Sequence, residues 1–308
     1  MFIVQENIVN TVELMTMLAS IPGYTFVVVV NLKDWINTKK LRATDQLITG
    51  ISMTGLLFQL METIGLCYYV HTNSYLYREK ALKPSVAIYR TVMSCNLWFC
   101  SWLCVHFCLK IVKINRVTYI YLQRTFHKML PWLLMPSVVG SILVTVPVVL
   151  DLAEDSSPLP SSQTLNTSGE DNVFPTRPYV NISLSYLIYI IGYVLGSSIC
   201  WMSGLTIVIS LYRHMKHMEL NAEGSRSPSK EAHIRAVKTL ISILVLNLLS
   251  LIVLILTTLK ETDPNWPPAL TIITSIFHTL SSLSLINGNS KLHKAIISTV
   301  TCLSTRST

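Results

Sequence analysis

The chain has 308 residues, of which 51% are hydrophobic and only 13% charged, and its mean hydropathy is +0.49. A soluble globular domain carries about 25% charged residues, so this composition excludes an ordinary water-soluble enzyme, and the apolar content excludes a disordered chain. With 11 Gly and 7 Cys it is neither collagen-like nor a disulfide scaffold, and the formal net charge of +8 has to be read by position, in a membrane protein, rather than as affinity for nucleic acid.

Seven apolar runs are long enough to cross a bilayer as helices, which takes about 20 residues each. The first, about residues 8–31, is preceded by no Lys or Arg; the first basic residue is Lys33. It lacks the basic start of a cleaved signal peptide and reads as a retained signal-anchor. The second, 46–70, is interrupted by Gln59 and Glu62, so it is expected to pack on protein or line a cavity. The third, 85–109, carries Arg90 and a stripe of Cys100, Cys104 and Cys108. Soft side chains at that spacing suit helix packing better than metal binding. The fourth is 130–150.

The segment 151–183 is acidic, rich in Ser and Pro, and without apolar periodicity. It holds both Asn-x-Ser/Thr sequons, at Asn166 and Asn181. The fifth run, 184–211, places Gly192 and Gly196 one turn apart, extended by Cys200 and Gly204, a pattern expected to pack closely against a neighbouring helix. The sixth is 237–259. The seventh, 269–287, is rich in Ser and Thr, and residues 288–308 read as a short cytoplasmic tail.

Charge bias sets the orientation. With the N-terminus outside, 18 of the 24 Lys and Arg fall on the inner segments, among them Lys110, Lys113, Arg116, Lys238 and Lys291. Both sequons then lie outside, as glycosylation requires. The expected fold is an all-α membrane protein: a single seven-transmembrane helix bundle, N-terminus outside and C-terminus cytoplasmic, multi-pass in the plasma membrane.

No Gly-x-Ser-x-Gly, His-Glu-x-x-His or Walker loop is present, and the histidines do not stand at metal-ligand spacing, so no catalytic residue, metal or cofactor is expected. Asp-Arg-Tyr after span three and Asn-Pro-x-x-Tyr in span seven are missing, as is any Cys in the long outer loop, so the rhodopsin-like pattern does not apply. Four other blocks do form a pattern. They are Phe26 to Asn31 with Asp34-Trp35, Lys39-Lys40-Leu41, Asp45 and Leu47-Ile48-Thr49; Leu97-Trp98-Phe99 with Leu109-Lys110-Ile111; Ser210-Leu211, His214, Met218, Ala232-His233, Ala236, Lys238 and Ile241-Ser242; and Gly288-Asn289-Ser290-Lys291-Leu292.

In this order and spacing the chain resembles the type 2 taste receptor family, the bitter taste receptors, over essentially its whole length. It departs from the family pattern in places. Tyr24 stands where an Asn is usual in span one, Gly55 where an Arg is usual in span two, Met93 where an Asn and Tyr89 where a Trp are usual in span three, and Ser281 where a His is usual in span seven.

The resemblance implies a G protein-coupled receptor for small bitter compounds that acts on a gustducin-type heterotrimer. Ligand pockets in such bundles are mostly apolar clefts between helices, with few polar groups. The expected lining is Glu62 and Leu66 from span two; Val86, Tyr89, Arg90, Met93 and Ser94 from span three; Tyr186, Tyr189, Ile190 and Tyr193 from span five; and Thr271, Thr274 and Ser275 from span seven. Arg90 and Glu62 are intramembrane charges at similar depth, and either pair with one another or address the polar group of a ligand. On the inner side Lys110, Lys113, Arg116, His214, Met218, His233, Lys238 and Lys291 are expected to face the G protein. The alternative is a small multispan transporter or channel, which would want polar rings running through several spans.

Overall fold

The computed structural model describes residues 2–71, 75–112, 116–154, 184–221, 241–256 and 269–306. The described elements are helices: α1 (Phe2–Thr38), α2 (Ala43–His71), α3 (Tyr75–Ile111), α4 (Val117–Glu154), α5 (Leu184–Asn221), α6 (Ile241–Leu256), α7 (Ala269–Gly288) and α8 (Ser290–Arg306). The first five each hold a segment long and apolar enough to cross a membrane, and α6 and α7 coincide with the sixth and seventh apolar runs.

The helices overrun the apolar runs. α3 begins at Tyr75 rather than near 85, and α4 at Val117 rather than near 130. A hydropathy run marks only what sits in hydrocarbon, whereas hydrogen bonding carries a helix on into the headgroup region. At the start of α4, Tyr119 donates its hydroxyl proton to the carbonyls of Cys108 and Val112, each at 2.9 Å, which pins α4 to the end of α3.

The larger difference is at the C-terminus. Residues read as a tail form α8. Its apolar positions are short and interrupted by Lys294 and Ser298, so no membrane-length run exists, but Leu292 and Ile296 are one turn apart and both pack into the core.

α3 is the hub, packed against α2, α4 and α5, while α1 packs on α2 and α7. Burial agrees: 61% of the apolar window of α3 is buried against 22% of that of α4. Large apolar side chains left on the surface, such as Leu18, Trp132, Met135 and Met202, form the face that lipid covers. In lipid, apolar burial does little to hold helices together; close packing and interhelical hydrogen bonds do that. Trp102 Nε1 donates to Ser137 Oγ at 3.0 Å and Ser141 Oγ to Ser94 Oγ at 3.1 Å, tying α3 to α4. Ser101 Oγ donates to the Gly196 carbonyl at 2.8 Å, tying α3 to α5.

The small-residue face of α5 packs as its sequence suggests, with one exception. A Cβ at Gly196 would lie 3.0 Å from Leu97 and one at Gly204 only 2.6 Å from Leu244, and Cys200 Sγ is 3.3 Å from Cys104 Sγ. Gly192 has nothing within 4 Å, so it takes no part in that seam.

Candidate functional site

One group of expected site residues meets between α3, α5 and α6. Arg90 is 7% exposed and its guanidinium carbon lies 6.0 Å from the centroid of the buried Tyr189 ring, at the outer reach of a cation–π contact. One turn further along α5, Tyr193 is tilted against Tyr189 at 6.2 Å between centroids, and its hydroxyl is hydrogen-bonded to Ser250 of α6. Charge, aromatic pair and α6 hydroxyl thus form a continuous chain from the outer part of α3 into α6. Ile190 is half-buried beside this chain.

Tyr89 and Met93 share a face of α3, as their spacing requires, and pack with Phe58 and Val92 on the α2 side. Ser94 is turned to α4, where Ser141 bonds it. Among the described residues no ion pair joins Glu62 to Arg90. Arg90 lies against Tyr189 of α5. Equal depth on adjacent helices does not fix azimuth, and each residue turns a helix by about 100°. Leu66, Val86, Tyr186, Thr271, Thr274 and Ser275 lie on α2, α3, α5 and α7, with side chains outside the described residues.

Beneath this group, two departures from the family pattern come together. The ring of Tyr24 lies directly over Gly55; a Cβ there would be 2.4 Å from Tyr24 Cζ. The ring is fully buried, and its hydroxyl donates to the His278 carbonyl at 2.9 Å. The His278 ring stacks on Phe58 at 3.8 Å and meets Tyr24 edge-on at 6.5 Å. A large residue in span one is thus accommodated by the smallest residue in span two. The pair joins α1, α2 and α7 through packing and one hydrogen bond to backbone.

At the opposite end, Lys291 is drawn inward. Its ammonium donates to Asp34 Oδ2 at 2.8 Å and to Asn31 Oδ1 at 3.1 Å, and stands 3.7 Å from Asp45 Oδ2. Asn289 donates to Asp45 Oδ1 at 3.2 Å, and Asn31 to Thr49 Oγ1 at 3.0 Å. The network ties α1, α2 and the α7–α8 junction together. Thr44 and His106 Nε2, 3.0 Å apart, join α2 to α3. Lys110 and Arg116 are exposed at this end. His214 and Met218 lie on α5 with side chains outside the described residues, and Lys113, His233, Lys238, Asn166 and Asn181 also lie outside them.

Sequence reasoning did not single out Phe58, Asn247, Ser250 or His278 for the site. The signal for the last three was present: each is a polar residue within an apolar span, and such residues face the bundle interior.

A helical bundle that crosses the membrane several times, with a charged and aromatic group facing inward near one end and a polar network at the other, is the build of a membrane receptor. The model of the family described as taste receptor protein (TAS2R) matches residues 1–304. The chain is 27% identical to taste receptor type 2 member 41 of Pan paniscus over 294 residues, covering 89% of each chain. It is 26% identical to taste receptor type 2 member 8 of Pongo pygmaeus, covering 98% of each. With taste receptor type 2 member 40 of Gallus gallus it shares 27% identity, covering 76% of this chain and 74% of the relative. The chain belongs to the type 2 taste receptor family, the seven-transmembrane bitter taste receptors. It is a multi-pass membrane receptor and not an enzyme.

Proposed function

We propose that this receptor binds small, largely apolar bitter compounds among the outer-half residues of α2, α3, α5 and α7 and activates a gustducin-type heterotrimer at its cytoplasmic end. The observation that carries this reading is the chain from Arg90 through Tyr189 and Tyr193 to Ser250. It offers a ligand one buried cation and two aromatic rings amid apolar side chains, and small-molecule sites are mostly apolar with a few polar groups. It also ends on α6. A ligand that favours one arrangement of the tyrosines therefore favours one position of α6, and a difference in affinity between two arrangements is what shifts a receptor's population. At the inner end, Lys110 and Arg116, with the basic residues of the segment joining α5 to α6, supply the surface for the G protein. The Lys291 network holds α1, α2 and α8 as the frame against which α5 and α6 move.

The test is calcium release in cells given a taste-type G protein and a panel of bitter compounds. An Arg90→Leu variant at matched surface level is expected to lose potency for the agonists found. An Arg90→Leu response equal to wild type for every agonist would remove Arg90 from the site.

A further inference from the structure

We propose that the centre of the bundle holds an internal water site, anchored by Asn247, that bridges α3, α6 and α7. A cavity of about 30 Å³ lies there. Its polar lining is Asn96 from α3, Asn247 and Ser250 from α6, and Ser281 and Ser284 from α7. Asn247 is 6% exposed and, among the described residues, its side-chain carbonyl oxygen has no hydrogen-bond partner.

A buried acceptor left unmet costs about 1–3 kcal/mol, and it is an oxygen in want of a donor. An ordered water needs about 10–15 Å³ and two to four polar partners. The cavity provides both, with room for about two waters. The neighbours are suited to such a bridge. Ser250 is engaged by Tyr193. Among the described residues, Asn96 Oδ1 receives only the weak thiol donor of Cys100, at 3.8 Å, so it keeps acceptor capacity. The residues around the cavity carry no carboxylate, so a cation would stay uncompensated and a neutral donor is favoured. The site gives α6 a polar link to both α3 and α7, one that a displacement of α6 would have to break. The cavity shares Met93 and Ser250 with the residues discussed for ligand binding, so its water is tested in the receptor without agonist.

The test is X-ray hydroxyl-radical labelling of the full receptor in lipid nanodiscs, without agonist, read by mass spectrometry. Side chains exposed to bulk water are oxidised, and buried ones are oxidised where a water lies beside them. Met93, Cys100 and Phe277 line the cavity, whereas Met17, Cys104 and Phe126 are buried away from it. The three lining residues are expected to label several-fold faster than their type-matched controls, and Asn247→Leu is expected to bring them down to the control rate. Equal labelling of the two sets in the wild-type receptor would overturn the proposal without recourse to any variant. So would unchanged labelling in a folded Asn247→Leu receptor. Labelling that falls when sodium replaces potassium would also overturn it, in favour of a bound cation.

Discussion

Replacing Gly55 by Ala tests how α1 and α2 are fitted together. The added Cβ would fall 2.4 Å from Tyr24 Cζ and 2.7 Å from both Cε atoms, so it meets the hydroxyl-bearing end of a rigid ring. The ring is fully buried and held at its far end by the bond to the His278 carbonyl, with Phe58 stacked behind the histidine. Overpacking a filled core costs about 1–3 kcal/mol. By the same scale the folded-to-unfolded ratio drops about 5- to 150-fold, since each 1.4 kcal/mol is a factor of ten. The assay is surface expression together with thermal inactivation of detergent-solubilised receptor. Gly55→Ala is expected to lower both. Tyr24→Leu, which also loses the hydroxyl, is expected to lower them alone as well. The double variant is expected to be better than the sum of the two, because the alanine fills space that the ring vacates. Gly55→Ala indistinguishable from wild type, or strictly additive effects in the double variant, would refute the account of this joint.

Lys291→Met is expected to destabilise the receptor by about 1.5–3 kcal/mol, the range for hydrogen bonds to charged groups, read as thermal inactivation temperature. Asp45→Asn is expected to be worse than Asp34→Asn, because Asp45 is 4% exposed and its carboxylate has less water to fall back on. Tyr193→Phe and Ser250→Ala each remove one partner of the same bond and are expected to shift agonist potency by similar amounts. The double variant is expected to go little further in a calcium dose–response series. Ser101→Ala removes the α3 bond to the Gly196 carbonyl and is expected to cost about 1 kcal/mol in thermal inactivation, with agonist potency unchanged at equal surface level.

Much of the bundle is legible from hydropathy, since apolar runs of membrane length have few other structures open to them. α8 escaped because its apolar residues are spaced along one face instead of forming a run, which is a periodicity signal rather than a composition signal. For the site, depth was readable and azimuth was not. Arg90 and Tyr189 were both placed in the outer half, but only their rotation decides that Arg90 meets Tyr189 of α5. Tyr24 and Gly55 each stood out as departures from the family pattern. That they compensate one another depends on two helices meeting at that level, which no local pattern encodes. Lys291 shows the same limit on charge counting. A basic residue at the cytosolic end is counted toward an inner surface, yet Asp34, Asp45 and Asn31 draw its ammonium into the protein.

The central claim is that a bitter compound, bound in the outer half, makes this chain act on a G protein. The most direct measurement is nucleotide exchange on a purified gustducin-type heterotrimer, with the receptor reconstituted in nanodiscs and an agonist identified in cells. Exchange is expected to rise with agonist and to fall in parallel for Arg90→Leu and Tyr193→Phe. Exchange that stays at the receptor-free rate with a folded receptor and saturating agonist would contradict it.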